Sequence, residues 1–246
     1  MTGKLYGLGV GPGDPELLTL KAHRILTESP VVAYPAPDSG ESFARAIVAG
    51  HLSPYQLEIP IVVPMRAERF PAAEIYDKAA GEIAGHLDAG HDVAVLCEGD
   101  PFFYGSFMYL FERLGQLFPT EIVPGVSSLV ASAAALARPL AARNDVLTVI
   151  PGPLPDAELE ARIKGADTLA IMKVGRHFAR IRALIEEMGL TDVAGYCERV
   201  SLAEERILPL AGVVEDSAPY FSMILIYKGA EDWIRALPAG KTVHAQ

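Results

Sequence analysis

An α/β fold is predicted, on three observations. Apolar runs of strand length alternate with amphipathic stretches of helix length. Two of the strand ends run into a Gly-Asp-Pro turn that opens a helix. The chain has 246 residues, half of them hydrophobic, which suits one large or two small packed domains and is too apolar for a disordered chain.

In order, residues 4–10 read as a strand and 14–28 as a helix. A short strand at 31–34 and a short helix at 43–50 follow. Then come a strand at 57–63, a helix at 75–89, a strand at 92–97, a helix at 102–118 and a strand at 120–123. This alternation predicts a mostly parallel sheet with helices on both faces. In the second half, 129–137 reads as a small-residue helix. Strands are expected at 146–150, 168–172, 193–196 and 222–227, and helices at 156–164 and 178–188. Residues 119–124, bounded by Pro119 and Pro124, are the expected junction between two lobes. A ligand is then expected between the lobes or at strand carboxyl ends.

The net charge of −10 argues against a nucleic-acid surface, which needs clustered Lys and Arg. No membrane span is expected: the uncharged stretch at 122–137 is interrupted by Pro124, Gly125 and three serines. The first residues enter a strand pattern directly, so no secretory signal is expected. Cys97 and Cys197 have no ligand-pair spacing, and the histidines have none either, so no metal site is expected. Two reduced, buried thiols and a cytoplasmic location fit this pattern.

The strongest local feature is Gly7-Leu8-Gly9-Val10-Gly11-Pro12-Gly13-Asp14-Pro15. Asp14 suits a helix N-cap and Pro15 the first helical position. Leu17, Leu18, Ala22, Ile25 and Leu26 form the stripe expected to be buried. The glycine spacing is not the dinucleotide fingerprint, which places glycines at positions one, three and six, and no P-loop Lys-Ser/Thr follows. Glu98-Gly99-Asp100-Pro101-Phe102-Phe103-Tyr104-Gly105 repeats the device, with Asp100 as the expected cap. Pro124-Gly125-Val126-Ser127-Ser128 adds a third turn, in which Ser127 also reads as a helix cap.

These three motifs, in this order, resemble the tetrapyrrole methylase family of S-adenosylmethionine (SAM)-dependent methyltransferases. The resemblance covers nearly the whole chain. It implies two αβα lobes, mostly parallel in the N-terminal sheet and mixed in the C-terminal one, with SAM in the cleft between them and a homodimer as the unit. The lobes are expected at 1–120, on the tetrapyrrole side, and 121–246, sharing SAM. Carried over position by position, the SAM contacts fall on Pro12, Glu98, Gly99, Asp100, Phe103, Ser127, Ser128 and Met172. Val31-Val32-Ala33-Tyr34-Pro35, Ser42-Phe43-Ala44, Ile61-Val62-Val63-Pro64-Met65 and the segment from Pro219 to Ile226 are similar to the branch that methylates precorrin-2 at C20. Glu198-Arg199-Val200-Ser201 replaces the family's Glu-Asn-Gly-Thr, so no contact is carried onto Val200.

The resemblance implies C-methylation of precorrin-2 to precorrin-3A in cobalamin biosynthesis. Cobalt-precorrin-2, another corrin position, ribosomal RNA or a non-catalytic tetrapyrrole- or SAM-binding module stand as alternatives; the charge disfavours RNA. No general base is assigned. Arg66, Arg69, Arg138, Arg143, Lys173, Arg176 and His177 are candidates to meet the substrate's carboxylates, although for each an ordinary solvated surface charge is the expected reading.

Overall fold

The computed structural model describes residues 1–63 and 72–237. Arg66 and Arg69 lie outside the described residues. The chain divides into two compact units, the first Met1–Ser127 and the second beginning at Ser128.

In the first unit, strands β1 (Leu5–Gly9), β2 (Val31–Ala36), β3 (Leu57–Val62), β4 (Val93–Cys97) and β5 (Thr120–Val123) form one parallel sheet in the order β3-β2-β4-β1-β5. Because β5 pairs with β1, residues 120–123 belong to this sheet. The units therefore divide after Ser127, where a boundary after residue 120 was expected.

Alternation along the strands sends side chains to opposite faces. On β4, Val93, Val95 and Cys97 join a core with Ile83 and Leu87 of helix α3 (Ala72–Asp88) and Phe107, Leu110 and Leu114 of α4 (Phe107–Leu114). Ala94 and Leu96 face the other way. They meet Ala22, Ile25 and Leu26 of α1 (Leu20–Glu28) and Ala44, Ile47 and Val48 of α2 (Phe43–Val48). All five β4 residues are buried, as a strand covered on both faces requires. Each fully buried Val, Leu or Ile contributes roughly 1.5–3 kcal/mol.

Two expected helices begin later than the sequence suggests. Asp14 caps only a single 3-10 turn, Pro15–Leu17, accepting from the Glu16 N–H at 2.8 Å. Leu18 is extended, and Thr19 caps α1 through the Ala22 N–H. Asp100 is likewise not the cap of α4. Its Oδ1 accepts from the Phe102 N–H at 2.9 Å, and Tyr104 adopts a left-handed φ of +57°, which a continuous helix cannot hold.

In the second unit, β6 (Leu147–Pro151), β7 (Thr168–Met172), β8 (Ala194–Glu198), β9 (Arg206–Pro209) and β10 (Ser222–Tyr227) form a mixed sheet in the order β6-β7-β10-β8-β9. Only β6 and β7 are parallel neighbours; the other three pairings are antiparallel. Helices α6 (Asp156–Gly165) and α7 (Phe178–Glu187) cover one face with Leu159, Ile163, Phe178, Ile181 and Ile185, and α5 (Ser128–Ala135) lies against β10. The edge strand β9 and the short α8 (Asp232–Arg235) were not foreseen; at four residues each they carry too little periodicity to read. Among the described residues, no helix is long and apolar enough to cross a membrane.

Candidate functional site

Strands β4, β1 and β5 are adjacent and parallel, so the three motif turns leave the sheet at one edge, its carboxyl edge. Ligands of open α/β sheets bind beyond that edge. The first two turns are joined main chain to main chain, and the third is tied to the second through a side chain. The Gly99 N–H donates to the Gly11 carbonyl at 2.8 Å, and the Gly11 N–H donates back at 3.3 Å. The Gly125 N–H donates to Asp100 Oδ2 at 3.1 Å. A Cβ on Gly125 would stand 2.0 Å from the Gly99 carbonyl oxygen and 2.7 Å from Gly9 Cα, so these backbones touch only because side chains are missing.

Of the residues expected to hold SAM, Pro12, Glu98, Gly99, Asp100, Phe103 and Ser127 belong to this unit. Pro12 and Gly99 are buried, and Glu98, Asp100, Phe103 and Ser127 are half-buried. Gly99 has a φ of +64°. Burial raises the Glu98 carboxyl above its ordinary value, and the backbone N–H groups of Glu98 and of Ala44 on α2 oppose that rise. Asp100 uses one oxygen within its own turn and the other on Gly125. Ser128 opens α5 in the second unit, where Met172 ends β7 opposite Met223 and Pro151.

Beneath the second turn, the Cys97 Sγ lies 3.8 Å from the Ser106 hydroxyl, which also bonds the Tyr76 phenol. Burial pushes the Cys97 thiol up and the Tyr76 phenol up to about 12, so both stay protonated at neutral pH. Cys97 and Cys197 are both free, buried thiols.

Arg138 is not a surface cation: it is buried, and its guanidinium donates to the carbonyls of Val193 at 2.8 Å and Leu237 at 3.2 Å, with longer bonds to Ile234 and Arg235. That is an internal fastening rather than a carboxylate receptor. Arg143 is exposed and pairs with Glu231 at 2.9 Å. Lys173 and Arg176 are exposed, and burial and two arginines, Arg176 and Arg180, lower the His177 imidazole's affinity for a proton. Sequence reasoning missed the direct packing of Gly9 on Gly125. The Pro-Gly pair at 124–125 signalled a turn but not what the turn touches.

The arrangement offers two carboxyl groups, aromatic rings and a glycine-lined main chain at one sheet edge. The pattern of the Tetrapyrrole (Corrin/Porphyrin) Methylases matches residues 4–213. The cobalamin biosynthesis protein CobIJ of Mycobacterium tuberculosis (strain H37Rv) is 45% identical over 97% of this chain; the chain spans about half of that relative, 48%. The precorrin-2 C(20)-methyltransferase of a Sinorhizobium species is 40% identical, with 91% of this chain and 95% of the relative covered. The crystal structure of uroporphyrin-III C-methyltransferase from Thermus thermophilus, complexed with S-adenyl homocysteine, superposes with a TM-score of 0.63 at 28% identity, covering 91% of this chain and 97% of that one. With the family pattern running through most of its length, the chain belongs to the tetrapyrrole methylase family.

Proposed function

We infer that this chain is a SAM-dependent methyltransferase that converts precorrin-2 to precorrin-3A by methylation at C20, in cobalamin biosynthesis. The observation that carries this reading is the near end-to-end correspondence, at 40% identity, with a protein named for that reaction. The joined turns at the carboxyl edge of the first sheet supply a physical setting for it.

The residues at that edge fit SAM. A cationic ligand suits Glu98 and Asp100, whose free lone pairs can accept from ammonium or ribose hydroxyls. Backbone groups of Pro12 and Gly99 and the hydroxyl of Ser127 provide further polar contacts, and the Phe103 ring provides an apolar one. For Ser128 and Met172 the assignment rests on the motif resemblance alone. When bound, SAM supplies an electrophilic methyl group on a sulfonium. The chain's own part is to align the macrocycle carbon with that methyl group and to exclude water, which is worth several kcal/mol of barrier. Glu98 suits holding a ligand rather than taking a proton from carbon, since its carboxyl is already engaged with the α2 backbone.

The working unit is proposed to be a cytoplasmic homodimer, a reading supported by the family resemblance and, for the compartment, by two free buried thiols. Light scattering of the purified chain tests the dimer. Incubation with methyl-labelled SAM and enzymatically made precorrin-2 tests the reaction: the expected product carries one new label, at C20. Label on a pyrrole β-carbon, or turnover only with the cobalt-loaded substrate, overturns the assignment.

A further inference from the structure

We propose that Tyr104 is a specificity-determining residue: its ring face receives the tetrapyrrole, presented there by a left-handed backbone that the side chain itself disfavours. The proposal rests on the function inferred above. Tyr104 has a φ of +57°, a region L residues with bulky side chains rarely occupy. Such strain persists only where the surroundings over-determine it, and it gathers at functional sites.

Here the surroundings are explicit. Asp100 holds its own turn through the Phe102 N–H and ties it to the neighbouring turn through the Gly125 N–H. Gly105, next in line, is wedged so closely that a Cβ would stand 2.5 Å from the Asp100 carbonyl oxygen and 2.6 Å from that of Pro101. A glycine at 104 would satisfy this turn without strain. Tyrosine at position 104 adds an aromatic ring that glycine would not supply.

The ring is placed for contact. The turn carries three aromatic residues in succession. Phe102 packs on α4, against Phe107 and Phe111. Phe103 is half-buried. Tyr104 meets Phe103 edge to face at 5.2 Å and remains 43% exposed. It stands at the carboxyl edge of the β4-β1-β5 strands, where a ligand of such a sheet is expected. An uncharged aromatic face matches a broad ring system of pyrroles, and it does not repel peripheral carboxylates as the chain's many acidic groups would.

The test compares Tyr104→Gly and Tyr104→Asn, which remove the ring and tolerate the left-handed conformation, with Tyr104→Phe, which keeps the ring. Steady-state kinetics gives kcat and the KM for precorrin-2. Calorimetry gives S-adenosylhomocysteine affinity, and absorbance titration gives affinity for the oxidised, aromatic form of precorrin-2. The Gly and Asn variants are expected to raise KM and the pigment dissociation constant tenfold or more. Their S-adenosylhomocysteine affinity and kcat stay within twofold, and the unfolding temperature does not fall. Phe restores both pigment values to within twofold of wild type.

Unchanged pigment affinity in the Gly and Asn variants overturns the proposal, as does an equal loss of S-adenosylhomocysteine affinity. Failure of Phe to rescue overturns the role of the ring face. A wild-type chain that binds pigment without methylating C20 sinks the function while the binding comparison still decides Tyr104. A wild-type chain that binds no tetrapyrrole sinks both.

Discussion

The Gly125 backbone N–H donates to Asp100 Oδ2 at 3.1 Å, and this bond fastens a turn leaving β5 to a turn leaving β4, two places away in the sheet. The same carboxylate holds its own turn through the Phe102 N–H. Replacing Asp100 by Ala leaves both donors without this acceptor. A loss of about 1–3 kcal/mol in urea unfolding is expected, with Asn, which keeps one acceptor oxygen, losing less. Equal stability of Asp100→Ala and wild type would remove Asp100 from the framework.

Gly125→Ala tests the backbone contact. A Cβ 2.0 Å from a carbonyl oxygen requires main-chain movement, so a loss of about 3 kcal/mol is expected. Gly81→Ala is the control. It lies within α3 with open space around its Cβ position, and helix propensity predicts a gain of up to about 1 kcal/mol. Similar effects at the two positions would mean that the Gly9–Gly125 contact is not constraining.

Gly99→Arg is expected to abolish S-adenosylhomocysteine binding in a protein that retains its circular dichroism spectrum. Gly99 is buried, left-handed and bonded on both sides to Gly11, so a long side chain must displace the turn or fill the space before it. Calorimetry with wild-type affinity in the folded variant would place the ligand elsewhere.

Arg138→Met separates fastening from substrate binding. Removing the guanidinium leaves the Val193 and Leu237 carbonyls without their charged donor, at a cost of about 3 kcal/mol in unfolding free energy. The KM for precorrin-2 should stay within twofold. A large rise in KM at unchanged stability would return Arg138 to the substrate.

Glu98 sets a pH dependence. Burial raises its folded-state pKa above the ordinary value near 4.5, so between those two values the folded chain holds more protons than the unfolded one. The contribution is full below pH 4.5 and is lost as pH rises through the raised pKa. Glu98→Gln should flatten that decline and be at least as stable as wild type at neutral pH, measured as urea midpoints across the range. A variant that is less stable at every pH would show that the ionised form is the one the fold uses.

The alternation of β1 to β5 with helices was legible because a sheet buried on both faces needs apolar runs, and helices that cover it need a 3.6-residue stripe. The Gly-Asp-Pro turns were legible as turns, since glycine permits the left-handed backbone that a tight turn needs and proline fixes φ. Asp100 as a helix cap was misread: capping depends on which N–H groups lie within reach, and those of Phe102 and Gly125 are closer partners than a helix end. Arg138 was misread for a similar reason, since nothing in an Ala-Arg-Pro context shows that several carbonyls from residues 55 or more positions away surround it.

The order of residues alone determined the α/β class, the three turns and the family those turns resemble, because each is written in spacing and backbone preference within a few neighbours. Tertiary structure decided which turns touch, which carboxylate is committed to holding them, and which cation is interior. Those outcomes depend on strand order, and strand order is set by packing between segments that lie far apart along the chain.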